Sequence, residues 1–163
     1  MKQIFAYLLF VALLPLLGGC DESDDVAEIF TGKTWKLTYI TMNGQTYDFW
    51  NGDEAAYDRS EALRRQGATF TVVFNGNETE TVVEGDFEAR AVNCTLTGTW
   101  SADGATHEVR TSNIRSTGSD TDVLARAFLT GLRNPIRYEG DSQNLYIYYK
   151  DGQTTKCMAF HIQ

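Results

Sequence analysis

From residue 34 onward the chain reads mostly as short runs of two-residue period, punctuated by glycine and asparagine. In residues 34–40, Trp35, Leu37 and Tyr39 alternate with Lys36 and Thr38, which predicts a half-buried strand. Asn43-Gly44 predicts a tight turn into a short strand over residues 45–49. Residues 68–74 predict a strand with Phe70, Val72 and Phe74 on one face, and turns at residues 75–77 and 85–86 bracket another over residues 80–84. Residues 87–100 read as one long strand. Val92, Cys94, Leu96 and Trp100 share one of its faces and Asn93, Thr95, Thr97 and Thr99 the other, so one side meets a core and the other water. A turn at residues 102–104 leads into a strand over residues 107–114. Strands over residues 145–150 and 155–162, joined by Asp151-Gly152, close the chain.

Two stretches follow helical spacing instead. Residues 53–66 form one, ended by Gly67 in the position that tolerates a left-handed backbone. Its apolar face (Ala56, Tyr57, Leu63) is thin, so it should lie on the surface and pack weakly. In residues 119–134, Asp120 or Thr121 can cap the start, and Val123, Leu124, Ala127, Phe128 and Leu132 recur at helical spacing until Asn134-Pro135. This better helix should plug one side or end of a sheet. The pattern predicts a mainly β fold of about eight antiparallel strands, a small barrel or strongly curled sheet that leaves no exposed edge, with one packed and one weaker surface helix.

The amino-terminal pattern differs. A single positive charge at Lys2 precedes an apolar run from Ile4 that ends in Leu16-Leu17-Gly18-Gly19-Cys20. A cationic start, a short apolar segment and small residues at the end describe an export leader over residues 1–19. The run is shorter than the roughly 20 apolar residues of a membrane span and is broken by Pro15. With cysteine directly after Gly19, it resembles the lipobox of bacterial lipoproteins. That resemblance implies a leader cut before Cys20, diacylation of its thiol and attachment to the membrane through the acyl chains. Two chains anchor stably where one binds reversibly.

The residues after it are Asp21, Glu22, Ser23, Asp24 and Asp25. Like-charge repulsion would keep such a run extended, as a solvated tether. It also resembles the acidic export signals of Bacteroidetes lipoproteins, which implies display on the outer face of the outer membrane, with the periplasmic face as the alternative. In other Gram-negative bacteria, aspartate beside the cysteine resembles an inner-membrane retention signal. The expected organisation is a leader (1–19), an anchor and acidic tether (20–30) and one domain (31–163).

Losing Lys2 with the leader takes the formal charge from −8 to about −9. A chain this acidic has no electrostatic reason to seek nucleic acid or anionic lipid, so acylation and not charge must hold it to a membrane.

Candidate chemistry is sparse. His107 and His161 each stand alone in a predicted strand, and His107 and Glu108 would point to opposite faces. No serine sits in a nucleophile-elbow pattern, no glycine-rich phosphate loop opens a helix and no cysteine pair has zinc spacing. No catalytic residue, metal or cofactor is expected. A disulfide between Cys94 and Cys157 would be allowed outside the cytoplasm and would contribute about 4 kcal/mol by closing a long loop. Side-chain parity argues against it, because Cys94 shares its face with Leu96 while Cys157 alternates with Met158 and Phe160.

Two aromatic groups are candidate contacts for a ligand or partner. Tyr47, Phe49 and Trp50 crowd a segment beside Asn51-Gly52, where they either stack on a ligand or close one end of the barrel. Tyr146 and Tyr148 alternate with Leu145, Ile147 and Tyr149, so one set faces outward or lines a cavity.

Gly32 and Trp35 at the first strand, the hairpin segment over residues 98–104, then a helix and two closing strands resemble the lipocalin-like and META-domain lipoproteins of the bacterial envelope. The resemblance implies a fold and transfers no functional residue. Three function classes follow: a non-enzymatic binding module for an apolar or glycan ligand or an envelope protein, an envelope stress, accessory or inhibitor protein without a pocket, and a hydrolase.

Overall fold

The structure is a computed structural model that describes residues 25–163. Cys20 and Asp21 to Asp24, with the leader, lie outside the described residues. Among those described, nine antiparallel strands form one strongly curled sheet with three helices. In chain order they are α1 (Val26–Phe30), β1 (Thr34–Met42), β2 (Gln45–Thr46), α2 (Glu54–Arg64), β3 (Thr71–Thr79) and β4 (Val82–Arg90). Then come β5 (Thr95–Asp103), β6 (Val109–Thr117), α3 (Val123–Arg133), β7 (Pro135–Gly140), β8 (Asn144–Asp151) and β9 (Thr154–Ile162).

The sheet order is β6-β5-β4-β3-β1-β9-β8-β7, with β2 hairpinned onto β1 through Asn43 and Gly44, both at positive φ. The sheet does not close into a barrel. Its edges meet at one bridge, Glu108 to Arg137, beside a 2.9 Å hydrogen bond from Tyr138 N to His107 O. Curling brings the edges together and so hides much of the pairing surface that a flat sheet would expose.

The concave face holds the core. Trp35, Phe70, Leu96 and Trp100 are all at most 2% exposed. α3 packs Leu124, Phe128 and Leu132 into it, with Phe128 against Phe70 and Phe160. The segment over residues 26–30, read from the sequence as part of the tether, is instead the short helix α1. Asp25 caps it by accepting from Glu28 N at 2.8 Å. Phe30 is fully buried among Phe74, Trp100 and Tyr138, with centroids 4.9–5.1 Å away, and its carbonyl accepts from Trp35 Nε1. Residues 26–30 are therefore part of the folded domain.

Several predicted boundaries move, each for a local reason. Glycine misled the reading at residues 75–77 and 85–86, which are strand interior. Gly76 pairs with Gly85, and the chain turns at Glu80, where φ is +59°. A Cβ on Gly85 would sit 2.0 Å from Asn75 O, so the two strands approach more closely there than any other residue permits. The long strand over residues 87–100 is in fact two, broken at residues 91–94. The carboxylate of Asp120 holds the break by accepting from Val92 N, Asn93 N and Cys94 N at 2.9–3.2 Å. Asp120 is thus not the cap of α3; Asp122 is, accepting from Ala125 N at 2.9 Å.

A bulge between Leu37 and Tyr39 turns Tyr39 outward and Ile40 inward, against the strict alternation. Phe70 adopts a φ of +51°, which directs its ring to Phe128 and delays β3 to Thr71. α2 begins after its cap Asp53 and stops at Arg64, and Gly67 lies outside the left-handed region. The strand over residues 45–49 shrinks to Gln45–Thr46, and that over residues 107–114 shifts to Val109–Thr117. The chain re-enters the sheet directly at Pro135 as β7, a ninth strand the pattern missed because only Tyr138 of its residues is buried.

Candidate functional site

The upper half of β1 has lost β3. The two pair only over Thr34–Lys36 with Thr71–Val73. Past that point the loop over residues 47–52 and α2 flank β1 and leave a cleft of about 300 Å³ between them. Tyr39, Tyr47, Phe49, Trp50 and Tyr57 wall it, and Glu61 and Arg64 are among its lining residues.

The loop wall is fixed from outside the cleft. Asp48 folds the loop by accepting from Trp50 N at 2.8 Å and Gly52 N at 3.0 Å. Trp50 Nε1 donates to Ser60 Oγ at 2.8 Å, and Ser60 donates in turn to Asp122 Oδ2 at 2.6 Å. The rings meet edge to face, Tyr47 on Phe49 at 4.6 Å and Trp50 on Tyr57 at 4.9 Å. Lys156 Nζ backs Tyr47 and Phe49 from 4.0 and 4.9 Å, and it pairs with Asp151 at 2.7 Å. A cation against a ring face is attracted by the ring quadrupole, so the loop is pinned to β9.

Arg64 meets Glu61 through two parallel hydrogen bonds, Nε to Oε1 at 2.8 Å and Nη2 to Oε2 at 2.7 Å. The guanidinium holds the Glu61 carboxyl below the usual carboxylate range. Beneath this pair Lys36 is buried, donating to Gln66 O at 2.6 Å and to Thr69 O. Burial and then the charge of Arg64 pull Lys36 down to about 8.

Of the candidates read from the sequence, Tyr47, Phe49 and Trp50 are brought together here. Phe49 and Trp50 also pack on the core, so closing the barrel end and walling a cleft are one arrangement. Tyr146 and Tyr148 lie elsewhere, on the outer face of β8, while Leu145, Ile147 and Tyr149 point inward. They line a second groove of about 450 Å³ with Arg137, Cys157 and Tyr39. Arg137 stacks on Tyr148 at 3.7 Å and pairs with Glu139, which accepts from Tyr148 OH at 2.9 Å. That carboxyl is held low by Arg137, and burial raises the Tyr148 hydroxyl.

Tyr39, Tyr57, Glu61 and Arg64 went unrecognised as site residues. The helical three have a legible signal, since positions 57, 61 and 64 share one face of α2. Tyr39 has none, because its outward turn depends on the bulge.

Cys94 and Cys157 are free. Burial pushes the Cys157 thiol up to about 11, so it is neutral at physiological pH. His107 sits at positive φ in the turn before β6, against the Tyr138 ring, and His161 shares a 2.8 Å hydrogen bond with Thr38 across the sheet. Among the described residues no group of three or more His, Cys, Asp or Glu is placed to hold a metal.

A curled antiparallel sheet filled by helices, with an aromatic cleft at its rim, is the architecture these contacts define. The chain belongs to the DUF4847 family, a domain of unknown function, which it matches over residues 21–162. Its fold is similar to the crystal structure of a DUF4847 family protein from Bacteroides vulgatus, at 24% sequence identity and a TM-score of 0.58, over 83% of this chain and 96% of that one. No curated protein matches the chain.

Proposed function

We propose that this protein is a lipoprotein of the bacterial envelope, held at the outer membrane by acyl chains on Cys20, that acts as a non-enzymatic binding module through the cleft at its rim. The observation that carries this reading is the placement of the cleft opposite the point where the tether enters. The chain arrives at α1, which packs against β3, and Lys33 ties this end together through Glu28 O and Ser142 O. From there β1 runs up to the cleft, which it lines at Thr38, Tyr39 and Ile40. At about 3.3 Å per residue these lie roughly 13–20 Å along the strand from Thr34. A domain anchored at one end and open at the other offers its contact surface away from the lipid.

The likeness to lipocalin-like and META-domain lipoproteins is part of this proposal at the level of architecture. Phe30 occupies the interior where a deep ligand would sit, which favours the rim. A second reading, an accessory or inhibitor protein that docks an envelope partner, draws on the same filled interior and on the outer groove of Tyr146, Tyr148 and Arg137.

Cell fractionation tests the anchor. Cys20→Ala should move the protein from the membrane to the soluble fraction, and retention in the membrane would refute the lipobox reading. For sorting, Asp21→Asn, Glu22→Gln and Asp24→Asn together should abolish labelling of intact cells. Asp25 is left in place because it caps α1. Unchanged labelling would assign the acidic run to a tether alone.

A further inference from the structure

The walls and the floor of the rim cleft ask for different things from a ligand. Tyr39 and Tyr57 are 42% and 46% exposed, the largest exposures of any big apolar side chains among the described residues; Tyr57 lines this cleft, and Tyr39 stands between it and the outer groove and lines both. Their rings stand ready to cover the flat side of a ligand ring. At the floor, Glu61 and Arg64 are 15% and 19% exposed and already neutralise one another.

That pairing restricts the charge of an occupant. An anion would have to pull Arg64 from Glu61, and a cation the reverse, each breaking two short hydrogen bonds. A wholly apolar ligand would strip water from the pair and return no hydrogen bond, which costs more than the contact gains. A ligand with an apolar face and hydroxyls around its edge meets both demands. The hydroxyls donate to the outer lone pairs of Glu61 and accept from Arg64 Nη1, whose own contact with Leu37 O is a long 3.4 Å.

From these contacts we infer that the cleft between β1, the loop over residues 47–52 and α2 binds one pyranose ring of a neutral saccharide, stacked on Tyr39 and Tyr57 and hydrogen-bonded by Glu61 and Arg64. A volume of about 300 Å³ lies at the small end of ligand sites and suits a single ring better than a chain buried along its length. This rests on the reading of the protein as a binding module and names what the module binds.

Saturation-transfer NMR on the full chain, in a detergent without a sugar head group, tests it with three probes: methyl β-D-glucopyranoside, methyl β-D-galactopyranoside and methyl α-D-mannopyranoside. At least one should receive saturation at its ring protons, with a dissociation constant on the order of 1 mM. Tyr57→Ala and Glu61→Gln should each weaken it about tenfold, with the melting transition retained. Transfer to none of the three overturns the inference, as does transfer that both variants leave unchanged. Site-specific cross-linking from position 57 to an envelope protein, with no transfer to sugar, would also overturn it while leaving a binding module in place. Retention of Cys20→Ala in the membrane in the fractionation test would sink that part of the proposed function without touching this result.

Discussion

Ser60 Oγ lies 2.6 Å from Asp122 Oδ2, a contact between residues 62 positions apart that joins the weak helix α2 to the cap of the packed helix α3. Ser60 is the one buried residue of α2, and it also receives the indole N–H of Trp50. A relay of three side chains thus sets the aromatic loop, and with it the cleft, against the core. Ser60→Ala should leave both Trp50 Nε1 and Asp122 Oδ2 short of a partner and cost about 1–3 kcal/mol. Urea unfolding measures the loss, and an unaltered midpoint would mean the relay carries no stability.

Asp120→Asn tests the break in the sheet. An amide side chain offers one acceptor atom where the carboxylate offers two, and three backbone N–H groups at residues 92–94 depend on them. The expected cost is about 1–3 kcal/mol, with faster hydrogen exchange at those amides. Exchange unchanged at Asn93 and Cys94 would show the loop stands by itself.

Phe30→Ala decides whether α1 belongs to the domain. Its ring fills the space between Phe74, Trp100 and Tyr138, so truncation should cost about 3–5 kcal/mol. A loss under about 1 kcal/mol in urea would show that α1 adds little to the stability of the domain.

Two glycines should separate crowding from backbone freedom. Gly85→Ala forces a methyl group onto Asn75 O and should cost about 1–3 kcal/mol or more. Gly32→Ala meets no atom within 4 Å and has only its φ of +73° to contend with, so about 1 kcal/mol is expected. Thermal melts of the pair give the order, and a reversed order would contradict the crowding argument.

Lys36 sets a pH dependence with a definite sign. Its folded value near 8 lies below the roughly 10.4 of an unfolded lysine. Between the two the unfolded chain binds more protons, so this group makes stability rise with pH across that window, and its penalty is fully present below it. Lys36→Met should flatten the rise seen between about pH 8 and about pH 10 in urea unfolding. Equal slopes in the two proteins would count against the burial of a charged Lys36.

The alternating runs of β8 and β9, the Asn43-Gly44 turn and the apolar spacing of Leu124, Phe128 and Leu132 were legible because local period and turn chemistry decide them. So was a mainly β, curled architecture, and so was the crowding of Tyr47, Phe49 and Trp50. Other features depend on partners far away in the chain. Gly76 and Gly85 resemble turn residues until each is seen to face the other across a strand pair. Asp120 resembles a helix cap until the amides of residues 92–94 claim it. Tyr39 turns outward only because β1 carries a bulge where it pairs with β9, and Tyr57, Glu61 and Arg64 become a site only when α2 settles beside it. The sequence by itself determined which segments prefer strand or helix, since that preference is written in spacing along the chain. Tertiary structure alone decided where strands end, which acid caps which segment and which aromatics share a cleft, because those outcomes rest on hydrogen bonds and contacts between residues that no local period relates.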